Sequence, residues 1–274
     1  MDIPYGICCD IGMRNRMEDE YAIYSRPKKG FFSAEVYDGH GGASAAVIAA
    51  EMFTPYFLHL WSEELNKEPH RRRPIHEIIR ETCREVDRFI VERVISCGTT
   101  LANFYIIKDR FYSINIGDSR IAIGTKDGAV FLTEDHKPHF PKERRRIESL
   151  GGYVIKFGVY RVQGDLAMSR ALGDGHLKPY VIAEPFILEG LFGRENDYVI
   201  VACDGVWDVM DAEEAMKITR KCHDAQKAAD TIISVATDYG SADNKTVIVL
   251  DLRRYTEGVK GERMEILKKI DMAI

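Results

Sequence analysis

Acidic residues stand at predicted strand ends at five places along the chain, several of them beside glycine. The five sites are Met17-Glu18-Asp19, Asp38-Gly39-His40, Gly117-Asp118, Asp204-Gly205 and Asp243-Asn244. An Asp-Gly pair commonly ends a strand by making a turn, so a turn is the better explanation for any one site taken alone. The combination is harder to explain in this way, because a turn requires neither His40 after one Asp-Gly pair nor Trp207-Asp208 after another.

These carboxylates are suited to hard divalent cations. Oxygen ligands without clusters of Cys or His favour magnesium, manganese or calcium over zinc. If Glu18, Asp38, Asp204 and Asp243 converge, two divalent cations would neutralise their four negative charges, and without metal the four acids would repel one another. Paired metals roughly 3.5–4 Å apart can activate water and stabilise an in-line displacement. The spacing alone does not show that these residues meet.

Composition excludes several other classes of protein. The net charge of -5 gives no broad attraction to nucleic acid or membranes. The six cysteines form no CxxC pair, no secretory signal is visible, and no apolar run approaches the ~20 residues that span a bilayer. We therefore expect a cytoplasmic monomer that binds neither membrane nor nucleic acid. The basic run at 70–73 leaves the nucleus as an alternative location, although a solvated loop explains this run better.

The elements that must position these acids alternate irregularly. Strands are predicted at 5–10, 21–24, 31–38, 99–108, 110–116, 119–125, 129–133, 181–188, 198–203 and 246–252. Helices are predicted at 43–60, 75–94, 141–150, 212–222, 224–238 and 257–270. Strands in runs and helices in pairs favour an α+β fold with antiparallel sheets over a doubly wound parallel sheet. We expect one catalytic domain over residues 1–255, with 256–274 as a C-terminal helix that packs on it or extends from it.

The motifs and their order resemble those of the metal-dependent protein phosphatases, the type 2C serine/threonine phosphatases. The resemblance covers about residues 5–252. Its seven motifs are Arg14-Asn-Arg-Met-Glu18-Asp19, Val36-Tyr-Asp38-Gly39-His40-Gly-Gly, Gly117-Asp118-Ser-Arg, Asp135-His-Lys-Pro138, Gly164-Asp-Leu-Ala-Met-Ser-Arg-Ala-Leu-Gly173-Asp174, Asp204-Gly-Val-Trp-Asp208 and Asp243-Asn244. The resemblance implies a four-layer α-β-β-α sandwich, in which two antiparallel sheets are flanked by helices and a metal cleft lies at one edge.

The resemblance also implies how two Mg²⁺ or Mn²⁺ ions would be held. Asp38 would bridge both ions. Asp204 and Asp243 would bind one ion, and Glu18 and the carbonyl of Gly39 would bind the other.

The remaining site residues receive roles from the same resemblance. Asp19 would orient the attacking water by a hydrogen bond, and Arg14 would grip the substrate phosphate with its guanidinium fork. His40 would protonate the departing serine or threonine oxygen as a general acid. Asp118 and Asp208 match positions that are associated with a third, weaker metal.

The implied function is hydrolysis of phosphoserine and phosphothreonine in protein substrates by metal-activated water, without a phosphoenzyme. A pseudophosphatase that serves as a binding module is the main alternative, but such a protein is expected to lose a metal carboxylate, and here every position is filled. A two-metal nuclease is a further alternative. It would require a basic groove, which the sequence does not suggest.

Two features depart from the pattern or add to it. Glu35 stands where the family usually has a small residue, and strand alternation places it on the face opposite Asp38, so we expect it to affect packing more than metal binding. Arg144-Arg145-Arg146 lies in the predicted helix 141–150. A solvated face is the favoured interpretation of this run, and docking of acidic or multiply phosphorylated substrate is the alternative.

Overall fold

The computed structural model describes residues 3–94 and 96–271. The strands in chain order are β1 Tyr5–Asp10, β2 Glu20–Arg26, β3 Phe31–Tyr37, β4 Gly39–His40, β5 Gly98–Thr99, β6 Leu101–Ile107, β7 Arg110–Ile116, β8 Arg120–Thr125, β9 Gly128–Phe131, β10 Val154–Phe157, β11 Val159–Val162, β12 Leu172–Gly173, β13 Phe186–Leu191, β14 Tyr198–Ala202, β15 Lys245–Asp251 and β16 Glu265–Ile270. The helices are α1 Ser44–Leu65, α2 Ile75–Val91, α3 Pro141–Ser149, α4 Asp204–Trp207, α5 Ala212–Cys222, α6 Ala225–Asp238 and α7 Arg253–Thr256.

Two antiparallel sheets form the centre of the molecule. One has six strands in the order β16-β13-β7-β6-β3-β2, and the other has five in the order β1-β15-β14-β8-β9. Alternate residues of the facing strands, such as Phe104 and Val36 on one sheet and Ile121 and Val201 on the other, fill the layer between them. The layer between the sheets is therefore filled by every second side chain along the strands of both sheets.

Helices cover the outer face of each sheet. Buried residues of α1 and α2 pack on the six-stranded sheet, and those of α5 and α6 pack on the five-stranded sheet. The predicted α+β fold and its four layers are thereby confirmed. Both α5 and α6 are capped at their N-termini, since the side chain of Asp211 accepts from Glu214 N at 2.8 Å and that of Asp224 accepts from Lys227 N at 2.8 Å.

The prediction of a C-terminal helix over 257–270 is wrong. After the short helix α7, residues Glu265–Ile270 form β16, which pairs antiparallel with β13 in a register that includes Ile187 opposite Ile270. The free edge of β13 offers a row of backbone partners and Ile270 becomes buried, and these tertiary contacts outweigh the helical preference of a charged segment. Residues Glu265–Ile270 thus complete the six-stranded sheet, while 272–274 lie outside the described residues.

Two other differences concern the segment between α3 and β14. The predicted strand 181–188 begins only at Phe186. The hairpin of β10 and β11 was not predicted, although its two four-residue strands are separated by Gly158, a residue with positive φ.

Glu35 faces α1 as alternation predicted, and it is fully buried. Its carboxylate accepts from the hydroxyls of Ser33 and Tyr37 at 2.6 Å each and from the hydroxyl of Thr54. Burial raises the pKa of Glu35 to about 7, against the opposing effect of these three hydrogen bonds. The packing around this acid is therefore satisfied by hydroxyl donors.

The three arginines of α3 do not share one environment. The side chain of Arg146 is only 8% exposed and donates to the carbonyls of Tyr180 and Ser169 at 2.8 and 2.9 Å. Arg144 pairs with Glu148 at 2.8 Å on the outer surface. A solvated face thus describes Arg144 and Arg145, and it is wrong for Arg146, which holds the chain segments beside α3 together. Within 3–94 and 96–271, no helix combines the length and apolar character needed to cross a membrane.

Candidate active site

All the carboxylates predicted to bind metal line a single cleft of about 1000 Å³, which we call the carboxylate cleft. They are Glu18, Asp38, Asp118, Asp204, Asp208 and Asp243, and they are joined there by Arg14, Gly39 and His40. Asp38 follows β3 of the six-stranded sheet, whereas Asp204 follows β14 and Asp243 precedes β15 of the five-stranded sheet. The cleft therefore lies at the edge where strands of both sheets end, and the structure brings these sequence-distant acids together.

Local backbone contacts fix Asp38 at the end of β3. Its N–H donates to the Thr100 hydroxyl at 3.0 Å, and its carbonyl accepts from Thr100 N at 2.9 Å and from the Thr99 hydroxyl at 3.1 Å. A Cβ at Gly39 would overlap the backbone carbonyl of Glu18, so glycine is required where these two segments approach. The close approach of the Glu18 and Asp38 segments therefore depends on glycine at position 39.

The carboxylates raise one another's pKa values. Burial raises the pKa of Asp38 well above its ordinary value, and the charges of Asp204, Asp19 and Asp118 raise it further. Burial also raises the pKa of Asp204 to about 7, followed by the charges of Asp118, Asp208 and Asp243. Like charges in a buried site are unfavourable unless cations neutralise them, so the electrostatics of this site are those of a cation-binding pocket.

The donor set fits hard divalent cations. Both carboxylate oxygens of Asp19 and one of Asp118 are buried and have no hydrogen-bond partner within 3–94 and 96–271. The carboxylates of Asp19 and Asp38 and the sulfur of Cys203 lie within 4.8 Å of one another. Sulfur is a soft donor and is therefore a poor ligand for such an ion. The carboxylate oxygens in this group are of the kind that suits magnesium or manganese.

Arg14 and Asn244 tie the N-terminal loop to the cleft. Nη2 of Arg14 donates to the carboxylate of Asp243 at 2.6 Å, and the rest of this exposed side chain faces the cleft. Asn244 accepts from Glu18 N at 2.8 Å and donates to the carbonyls of Ile11 and Arg16 at 2.9 and 3.0 Å. The sequence motif included Asn244 without a role, and the structure shows that it holds the Glu18 loop against β15.

His40 has a buried acidic partner that sequence reasoning missed. Its Nε2 lies 2.8 Å from the carboxylate of Asp174, a residue that is 1% exposed. A Cβ at Gly98 would overlap both groups, so glycine is needed beside them. Nδ1 of His40 is buried, and no described residue offers it a hydrogen bond. Asp174 ends the longest motif, and that position was the available signal, but nothing in the sequence paired it with His40.

Lys137 is a second residue whose role the sequence did not show. It lines the cleft and forms an ion pair with Asp118. Its charge also acts to lower the pKa values of Asp204 and Asp208. The neighbouring His136 accepts from Gly117 N at 3.0 Å, and burial lowers its pKa to about 3, so this neutral ring fixes the turn that carries Asp118.

Comparisons with known proteins agree on one family. The family model described as Protein phosphatase 2C matches residues 4–245. "Probable protein phosphatase 2C 45" of Oryza sativa subsp. japonica is 36% identical over 251 residues, which are 90% of this chain and 86% of that protein. "Protein phosphatase 1E" of Homo sapiens is 32% identical over 265 residues, but the match spans only 34% of that longer protein.

Solved structures have the same fold. A sex-determining protein of C. elegans matches with a TM-score of 0.84 and 25% identity, over 92% of this chain and 65% of that one. The crystal structure of a serine-threonine phosphatase 2C from Toxoplasma gondii matches with a TM-score of 0.80 and 24% identity, over 91% and 94% of the two chains. This second likeness supports the layered architecture.

Proposed function

Because the chain belongs to the protein phosphatase 2C family and is thus a metal-dependent serine/threonine protein phosphatase, we propose that its chemistry takes place at two Mg²⁺ or Mn²⁺ ions in the carboxylate cleft. Asp38 would contact both ions, Asp204 and Asp243 would hold one, and Glu18 with the Gly39 carbonyl would hold the other. When bound, such ions supply a nucleophile from water and polarise the phosphate. The convergence of Asp38 and Asp204 from opposite sheets carries this proposal.

The side chains around the ions would divide the remaining work. Arg14, exposed at the cleft, presents a guanidinium fork that matches two phosphate oxygens. Asp19 has two buried oxygens without partners, and these can accept hydrogen bonds from the attacking water. Asp174 contacts Nε2 of His40 and thereby positions the ring that would give a proton to the departing oxygen.

A third metal site at Asp118 and Asp208 would bind its ion more weakly than the other two sites. Lys137 already pairs with Asp118, so a cation at that position must compete with a tethered ammonium group. Asp208 is exposed to solvent, which further weakens its attraction for an ion.

The pseudophosphatase alternative is not supported, because every carboxylate that the metal centre requires lines the cleft. Phosphoproteins are the substrates that the family implies. For the rest, we propose a cytoplasmic monomer. All six cysteines are free, as is usual in a reducing compartment.

Hydrolysis of a small aryl phosphate with manganese, with and without a chelator, tests the metal requirement. We expect turnover with manganese and none after chelation. A panel of matched phosphoserine, phosphothreonine and phosphotyrosine peptides then tests the substrate class, with the first two preferred. Turnover that persists in excess chelator would remove the two-metal mechanism.

A further inference from the structure

The β10–β11 hairpin lies beside the carboxylate cleft and packs on a small hydrophobic cluster of its own. Val154 and Val162 at its root are buried together with Ile147 of α3 and with Leu177 and Val181. Its outer half lines the cleft with residues 156 and 158–161. The root of the hairpin is therefore packed against the domain. Its outer half is open to contact a ligand in the cleft.

The outer half of the hairpin carries basic side chains, and so does the loop before Glu18, which lines the same cleft. Lys156 of β10, Arg161 of β11 and Arg16 of the loop before Glu18 all line the cleft. Within residues 3–94 and 96–271 none of these three cations forms an ion pair, in contrast to Arg14 and Lys137, which pair with acids.

The contacts that these cations do make leave their charge uncompensated. Arg161 donates to the backbone carbonyl of Asp165, whose carboxylate lies 3.0 Å from Nε2 of His176. The ammonium of Lys156 lies 5.7 Å from the ring centre of Tyr160, which is opposite it in the hairpin register. Three positive charges thus line the cleft with no ion-pair partner among the described residues, in addition to the acids that line it.

The hairpin also exposes large apolar side chains. Phe157 is 78% exposed and Val159 is 52% exposed, and the register places the two opposite each other beside the turn at Gly158. Isolated exposed apolar residues are common, but an adjacent pair next to uncompensated cations at a cleft is typical of a surface that contacts a partner.

We infer that the cations Arg16, Lys156 and Arg161 bind Asp and Glu residues that flank the phosphorylated serine or threonine of a protein substrate. Phe157 and Val159 lie beside these cations and belong to the same binding surface. The inference rests on the proposed function, because it names the substrate class of the same cleft. Charge complementarity selects this partner: a phosphoserine bound over the floor places its neighbouring residues at the rim, where acidic side chains would meet cations. The arginines of α3 do not contribute, since Arg144 and Arg145 do not line the cleft.

The test compares two phosphothreonine peptides that differ only in Glu or Gln at the flanking positions. Wild-type protein should favour the acidic peptide in kcat/KM, and Lys156→Glu or Arg161→Glu should each reduce the acidic-to-neutral ratio about fivefold. Lys156→Arg should retain the ratio. Raising the salt from about 0.05 to 0.5 M should reduce the wild-type preference, because exposed charges are screened.

Arg145→Glu is the matched control, since it makes the same charge reversal outside the cleft. It should leave both the ratio and the hydrolysis of a small aryl phosphate at wild-type values. A wild-type ratio near one, or equal losses on both peptides in Lys156→Glu, would overturn the inference while aryl phosphate turnover left the proposed function standing. Absence of manganese-dependent aryl phosphate turnover would reject the proposed function, and the inference with it.

Discussion

The Asp38 carboxylate shows how one residue combines several physical constraints. It is partly buried and directly follows a strand, and burial together with the charges of three neighbouring acids raises its pKa. Sequence reasoning identified this acid and its neighbours because their residue types and order are distinctive. It could not predict the ion pair of Lys137 with Asp118 or the contact of His40 with Asp174, because these partners are joined only by the folding of the intervening loops.

Asp38→Asn should abolish most turnover. In the proposed mechanism two ions would share this charge, so its loss would remove several kcal/mol of transition-state stabilisation, on the order of a 10³-fold fall in kcat/KM for an aryl phosphate with manganese. Asp109→Asn on the exposed turn between β6 and β7 is the control and should retain wild-type kinetics. If Asp38→Asn kept substantial activity, the assignment of Asp38 to both ions would be wrong.

His40→Ala and Asp174→Asn should share a kinetic signature that depends on the leaving group. An alkyl oxygen needs a proton to depart and a phenolate does not, so both variants should lose about 10²-fold on a phosphoserine peptide and much less on an aryl phosphate. Asp174→Asn keeps a hydrogen-bonding side chain but loses the charge beside Nε2. Equal losses on both substrates, measured as kcat, would exclude a proton-donor role for His40.

At the scale of elements, strand β16 connects the sheet to α3 and to the longest motif. Asp271, directly after β16, pairs with Arg170 at 2.8 Å and with Lys142 of α3 at 2.9 Å. Arg170 is 1% exposed and also pairs with the buried Glu143 at 2.6 Å. A buried arginine with two carboxylate partners is stable only while both are ionised.

The Arg170 cluster should be sensitive to acid. Burial opposes ionisation, but Arg170 and Lys142 outweigh it and lower the pKa of Asp271 to about 2, and Arg170 likewise lowers that of Glu143 to about 2. Because both folded-state pKa values are depressed, their stabilisation is complete above the ordinary values near 4 and is lost as the pH falls toward about 2.

Asp271→Asn should therefore cost on the order of 1 kcal/mol in the free energy of unfolding at pH 7 and almost nothing near pH 2. Urea unfolding of wild type and variant in chelator, at several pH values, measures this difference and cancels effects shared by both proteins. A difference that stays constant from pH 7 to pH 2 would show that Asp271 acts by packing and not by charge.

The elements also show where a single sequence is informative. β-rich strands bounded by glycine or charge, such as β3, and helices with capping residues, such as α5, were predicted close to their observed bounds. β16 was not, because its charged residues favour a helix locally and only the open edge of β13 makes it a strand. The four-residue strands β10 and β11 are too short for periodicity to be decisive.

At the scale of the whole molecule, the metal centre should stabilise both sheets together. Ions that bind only the folded chain add about 2.7 kcal/mol at a concentration 100 times their Kd, which for a chain of this size raises Tm by about 5–10 °C. Thermal melts with manganese and with chelator should show this shift in wild type and a smaller one in Asp38→Asn. An identical melting curve with chelator would argue against a built metal site.

The carboxylate cleft draws its acids from the ends of both sheets, with Asp38 and Asp243 more than two hundred residues apart in the chain. A copy in which either sheet is misassembled would thus retain only some of these acids in one place. It could not bind the proposed pair of ions. Catalysis would then report on the correctness of the entire architecture. Misfolded or partly folded copies would therefore be inactive. They would not remove phosphate groups from phosphorylated proteins in an unregulated way.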